Sequence, residues 1–116
     1  MSIHKRWSKY SLKNIKSAPD SYGIIEIGDI DTGAVLYIGE GKIRTILTTY
    51  NPDGGHKKHV SVFGSAAVGN YGYRYQVVAK EKAHQRKNVL LSEFKKAYGS
   101  LPRLNQKEET EHKVIY

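Results

Sequence analysis

The sequence predicts one α+β domain, in which a three-stranded antiparallel sheet is flanked by helices. Two short strand-forming segments lie on either side of a turn, which is the pattern of a β-hairpin. A third alternating segment comes later, directly before the clearest helical pattern. The length of 116 residues fits one domain of ordinary size. We expect this domain over residues 21–105, after a basic arm over residues 1–20 and before a polar tail over residues 106–116.

The predicted hairpin joins a strand over residues 24–27 to a strand over residues 35–38. Between them, residues 29–33 read Asp-Ile-Asp-Thr-Gly, which is turn composition. A helix is expected over residues 42–50, opened by the preceding Gly-Glu-Gly, because an Asn-Pro-Asp-Gly-Gly sequence follows and ends it. Residues 56–70 show no clear period.

The third strand is expected over residues 73–78, and a long helix over residues 80–98. Ala83, Leu90 and Phe94 recur at helical spacing, which predicts one buried stripe along that helix. Gly99 follows the last periodic residue and supplies a stop signal.

Charge and aromatic content favour a polyanionic partner. The formal net charge is +8, and nine tyrosines accompany it. Basic residues mixed with aromatic ones suit phosphate contact together with base stacking. The arm is the most basic segment, since its first acid is Asp20. There are two alternatives: the arm is a partly disordered tail, or the protein is basic but has no polyanionic partner.

Composition also excludes several classes. There is no cysteine, which excludes disulfides, thiol catalysis and cysteine-ligated zinc. No apolar run approaches the roughly 20 residues of a membrane span. The first residues lack the apolar core of a signal peptide. We therefore expect a cytoplasmic protein with no membrane partner.

Three short motifs follow one another in a fixed order. Gly23-Ile24-Ile25 lies in the first predicted strand, Tyr37-Ile38-Gly39 ends the second, and Pro102-Arg-Leu-Asn105 stands near the end. In this order the motifs resemble those of the GIY-YIG nuclease family, over residues 22–105. The resemblance implies a central three-stranded antiparallel sheet flanked by helices. It also implies hydrolysis of phosphodiester bonds with a divalent metal, Mg²⁺ or Mn²⁺.

Three positions that serve the family's chemistry are retained. The resemblance implies that Tyr37 is the tyrosine of Tyr-Ile-Gly and that Asn105 is the closing asparagine. Tyr50 matches the last position of the helical pattern Arg-Leu-x-x-Tyr. The other role for Tyr37 is that of a strand tyrosine that packs on a helix.

Three further family positions are replaced. Ile25 stands where the family has the tyrosine of Gly-Ile-Tyr, and Tyr22 points to the opposite face of that strand. Ile46 stands in place of the arginine that stabilises charge in the transition state, and Arg44 is the nearest possible substitute. Lys87 stands in place of the metal-binding glutamate.

Lys87 is open to two interpretations. Its ammonium group can occupy the electrostatic place of the metal, or its stem can pack while its head reaches water. In the first case, the side chains of Tyr37, Tyr50, Lys87 and Asn105 are expected to converge on one concavity.

The favoured hypothesis is a nucleic-acid-binding GIY-YIG-like protein that is non-catalytic or nearly so and binds no cofactor. Its partner is DNA or structured RNA, including the ribosome. The expected contacts are Lys5, Arg6, Lys9, Lys13 and Lys87. The alternative is an active metal-dependent endonuclease in which Arg44 and either Glu93 or Glu81 have taken over the lost roles. A structural or protein-partner module is the third hypothesis.

Overall fold

A computed structural model describes residues 6–49 and 70–106. In chain order the elements are β1 (Ser8–Lys9), α1 (Leu12–Ser17), β2 (Tyr22–Asp29), β3 (Val35–Lys42), α2 (Ile43–Thr49), β4 (Tyr71–Val77) and α3 (Lys80–Tyr98). Residues 103–106 add a helical turn. The α+β class, the hairpin and the long helix are confirmed. Within the described ranges, no helix has both the length and the apolar character that crossing a bilayer requires.

The sheet has four strands in the order β1-β4-β2-β3, and every pairing is antiparallel. The prediction of three strands was therefore one short. The extra strand is β1, in which Ser8 pairs with Tyr73 and Lys9 with Gly72 of β4. Two residues are too few to show the alternation by which a strand is recognised in a sequence.

The two faces of the sheet carry different layers. Ile25 and Ile27 of β2 pack with α1 and α2 on one face, which we call the α1/α2 face. Ile24 of β2 and Ile38 of β3 pack with α3 on the other, the α3 face. The strand β2 is central and buried on both faces. The sheet is thus sandwiched between helices, and a side chain's face decides which helix it meets.

The segment predicted as an arm belongs to the folded unit from Ser8 onward. Tyr10, Ile15 and Ala18 are buried with the core of the α1/α2 face. The Tyr10 hydroxyl donates a hydrogen bond of 2.6 Å to the carbonyl of Leu47 in α2. The boundary expected at residues 20–21 therefore has no counterpart in the described fold.

The helix α3 is held by its apolar stripe and ends as the sequence indicates. Ala83 and Leu90 are buried against the α3 face, and burial of one leucine side chain contributes about 2 kcal/mol. Gly99 has φ 84° and donates a hydrogen bond of 2.7 Å to the carbonyl of Lys95. This left-handed conformation favours glycine, so the predicted stop is confirmed.

Candidate functional site

Tyr37 lies in the core of the α1/α2 face and is 7% exposed. Its ring lies over Gly39, where an added Cβ would come within 2.5 Å of a ring carbon. The Tyr-Ile-Gly motif of this chain therefore has a packing reason, since only glycine leaves room for the ring. Tyr50 and Lys5 lie outside the described residues.

Asn105 holds the edge of the sheet. Its Oδ1 accepts a hydrogen bond of 2.9 Å from the backbone N–H of Ile38, and its Nδ2 donates one of 2.8 Å to the carbonyl of the same residue. Because β3 is an edge strand, its outward backbone groups need partners. The amide supplies both partners, as a neighbouring strand would.

Lys87 lies on the other face of the sheet from Tyr37. Its Nζ is 3.1 Å from Oε1 of Glu40. Glu40 is paired with Ile24, so its side chain points to the α3 face. The prediction that Tyr37 and Lys87 share one concavity is therefore wrong. Tyr37 and Glu40 are three residues apart on one strand, and alternation sends them to opposite faces.

Glu40 is the centre of a polar cluster that the sequence analysis missed. The Nδ1 of His84 is 2.5 Å from Oε1 of Glu40, and the Tyr22 hydroxyl donates a hydrogen bond of 3.4 Å to its Oε2. Burial by itself raises the pKa of the Glu40 carboxyl, but the hydrogen bonds from His84 and Lys87 outweigh it and hold that pKa below its usual range. At neutral pH the Lys87 cation is thus balanced by an anion.

A sequence signal for this cluster existed. His84 and Lys87 are three residues apart, so they share one side of a helix. Glu40 was hidden because the second strand was predicted to end at Ile38 and the next three residues were assigned to a helix start. The strand in fact runs through Lys42.

The cluster holds a lysine where a divalent ion would need a ligand. Glu40 and His84 are residue types that bind metals, whereas a protonated lysine repels them. Among the described residues, no group of three His, Cys, Asp or Glu side chains comes together. A single substitution at Lys87 therefore tests whether this cluster can bind a metal ion.

Lys87→Glu is expected to make unfolding depend on metal. Without metal, a second carboxylate beside Glu40 should lower the free energy of unfolding by about 1 kcal/mol, because like charges repel. With Zn²⁺ or Mn²⁺, two carboxylates and the His84 imidazole become ligands, and metal at a hundred times its Kd restores about 2.7 kcal/mol. Thermal unfolding with and without each metal checks this.

The control for that experiment is Lys87→Gln, which removes the cation and adds no ligand of comparable strength. Wild type and Lys87→Gln should show the same small response to metal. An equal response in Lys87→Glu would mean that Glu40, His84 and position 87 do not meet as described.

The residues of the enzyme alternative come from both sides of the sheet. The Nε of Arg44 donates a hydrogen bond of 2.8 Å to the carbonyl of Ala18, at the end of α1. Ile46, in the family's arginine position, packs against the core of the α1/α2 face. Glu93 belongs to α3 on the other side of the sheet, and Glu81 is exposed in the first turn of that helix. Arg44 and Glu93 therefore lie on opposite sides of the sheet.

A cavity of about 740 Å³ lies between α3 and residues 100–106. Leu90, Phe94 and Leu101 give it an apolar lining, and the carboxylates of Glu26 and Glu93 border it with Arg103. An apolar lining cannot replace the water around a charged phosphate backbone. A nucleic-acid backbone is thus expected to bind elsewhere.

Two lysines form a basic surface at α1. Lys13 and Lys16 are exposed, and we call them the α1 lysine surface. Lys9 is exposed too, but it alternates with the buried Tyr10 and so points to the α3 face. Ser11 caps α1 by accepting a hydrogen bond of 3.3 Å from the N–H of Asn14. No acid precedes Asp20 in the sequence. The two lysines therefore lie on a helix that is fixed to the core and has no acidic residue before it in the sequence. Arg6, just before β1, is also exposed.

Comparison with known proteins finds a matching family. A family described as "Domain of unknown function (DUF7508)" matches residues 1–97. No curated protein and no solved structure matches the chain.

Proposed function

The chain belongs to the DUF7508 family, whose description states no activity, and we propose from its geometry that it binds nucleic acid through phosphate contacts without cutting it. The observation that carries the proposal is the α1 lysine surface. Its partner is DNA or structured RNA, the ribosome included. Charge of this kind attracts a phosphate backbone irrespective of sequence.

Anchoring makes these lysines better phosphate ligands than those of a disordered tail. Tyr10 and Ile15 are 4% and 3% exposed, so the segment that carries Lys13 and Lys16 is fixed to the core. A fixed support loses less conformational entropy when the ligand binds. Lys13 and Lys16 are three residues apart on α1, which places their ammonium groups on one side of the helix.

The absence of cleavage is proposed from the Glu40 cluster. Catalysis of this kind needs a cation that stabilises the phosphate in the transition state. Lys87 forms an ion pair with Glu40, and Arg44 is turned toward the backbone of Ala18. Both cations are therefore engaged by the protein itself, and Lys87 is not among the proposed phosphate contacts.

We propose that the chain shares the fold of the GIY-YIG family but not its nuclease activity. The support for a shared fold is the order of the elements: a hairpin of β2 and β3, then α2, then β4 beside β2, then α3. The central strand β2 carries Gly23, and an added Cβ there would overlap the backbone carbonyl of Gln76 in β4. The glycine of the first motif thus permits the close pairing of the two strands.

Lys13→Gln with Lys16→Gln is expected to weaken binding to a labelled duplex roughly tenfold at low salt, because two phosphate contacts are lost. The slope of log affinity against log salt concentration should become shallower by about 1.8. Fluorescence anisotropy at several salt concentrations measures both quantities.

The matched control is Lys95→Gln with Lys96→Gln. It removes the same charge from two exposed lysines in the last turn of α3. We expect this variant to lose less than half as much affinity. Equal losses in the two variants would show that net charge alone acts. Chelator-sensitive cutting by the wild type would replace the proposal with the enzyme alternative.

A further inference from the structure

An open groove runs between α3 and β4. The helix packs on β2 and β3, and the β4 side of α3 borders a concavity of about 440 Å³. Its lining residues are Gln76, Val78, Lys82, Gln85, Arg86 and Val89. None of these is acidic, and two of them are cations.

The cations and amides of the groove are arranged on two walls. Lys82 and Arg86 are four residues apart on α3, so they lie on one side of the helix. Gln76 comes from β4 and is exposed. Val89 belongs to α3 and is 40% exposed. The groove thus offers positive charge on one wall and an amide donor and acceptor on the other.

An aromatic group lies on the same face of the sheet, further along β4. Arg74 is two residues from Gln76, so it points to the same face at a distance of about 7 Å. Its guanidinium lies 4.1 Å from the centre of the Trp7 ring. Arg74 is paired with Glu26, so the ring of Trp7, and not the arginine, is the feature that this face shares with strand-binding proteins.

We propose that this groove binds a single-stranded segment of nucleic acid, with phosphates at Lys82 and Arg86 and bases toward Gln76. The proposal rests on the proposed function and adds a second site on the opposite face of the sheet from α1. A single strand exposes its bases, whereas a duplex keeps them stacked inside. The groove therefore suits a strand, whereas the exposed α1 lysine surface suits the phosphates of a duplex.

The test compares one strand in two forms. The probes are labelled oligouridine and the same strand paired with oligoadenosine. Lys82→Gln with Arg86→Gln should weaken binding of the single strand about tenfold and binding of the duplex by less than about twofold. Lys95→Gln with Lys96→Gln is the control for charge. An equal loss on both probes, or no loss on the single strand, would overturn the proposal.

A second pair of variants tests the groove and leaves Lys82 and Arg86 unchanged. Gln76 and Val77 are neighbours in β4, both exposed, and alternation places them on opposite faces. Gln76→Glu should weaken single-strand binding at least threefold more than Val77→Glu. An equal effect would overturn the groove. If wild type binds neither probe, the proposed function itself has failed, whereas duplex binding alone would remove only this site.

Discussion

Asn105→Ala is expected to lower the free energy of unfolding by about 3 kcal/mol. The change removes two hydrogen bonds and leaves the N–H and the carbonyl of Ile38 without their partner at the edge of the sheet. A buried polar group that loses its partner costs about 1–3 kcal/mol. Urea unfolding followed by circular dichroism measures the difference.

The same variant separates a structural role for Asn105 from a role in binding. Because the amide is used by Ile38, nucleic-acid affinity should stay within about twofold of wild type under conditions where the variant is folded. Lost affinity with unchanged stability would instead place Asn105 at the ligand.

Glu26→Gln is expected to cost about 3 kcal/mol of stability. Oε1 of Glu26 is 2.6 Å from Nε of Arg74, and the side chain of Glu26 is 1% exposed. Removal of one partner of a buried ion pair leaves the other charge uncompensated, which typically costs about 3–5 kcal/mol. Arg74 is 14% exposed, so we expect the lower end of this range.

Glu81→Gln is the matched control, since it removes the same charge from an exposed position on α3. It should change stability by less than about 0.5 kcal/mol. Because Arg74 also stacks on Trp7, the emission of this single tryptophan should change in Glu26→Gln and stay constant in Glu81→Gln. Equal stability of the two variants would mean that the ion pair contributes little.

The elements of the fold were largely predictable because their signals are local. The turn at residues 29–33, the stripe on α3 and the stop at Gly99 each depend on neighbouring residues, and each is present. The strand β1 was missed because it consists of two residues whose partner, β4, is more than 60 residues away. Such a pairing leaves no local pattern.

The candidate site was less predictable because β2 is buried on both faces. Ile24 and Ile25 are both 0% exposed, so no alternation of apolar and polar residues shows which face α3 covers. The strand assignment that ended at Ile38 added a second difficulty, because it removed Glu40 from the sheet. Lys87 could therefore be placed on its helix but not beside its partner.

The segment over residues 1–20 is basic, and from Ser8 onward it is fixed to the core. This attachment limits the ways in which its charge can be tested. Deletion of residues 1–16 would remove Tyr10 and Ile15 from the core, together with the strand β1. Such a deletion would lower stability as well as charge. Substitution of the exposed lysines changes the charge and leaves the core intact.

The most direct test is the affinity of the full chain for labelled duplex and single strand at a series of salt concentrations. We expect binding with a Kd on the order of 10⁻⁴ to 10⁻⁶ M near physiological salt, and a linear fall of log affinity with log salt concentration. The nucleic acid should be recovered uncut in the presence of Mg²⁺. Absence of binding to either probe even at low salt would contradict the account.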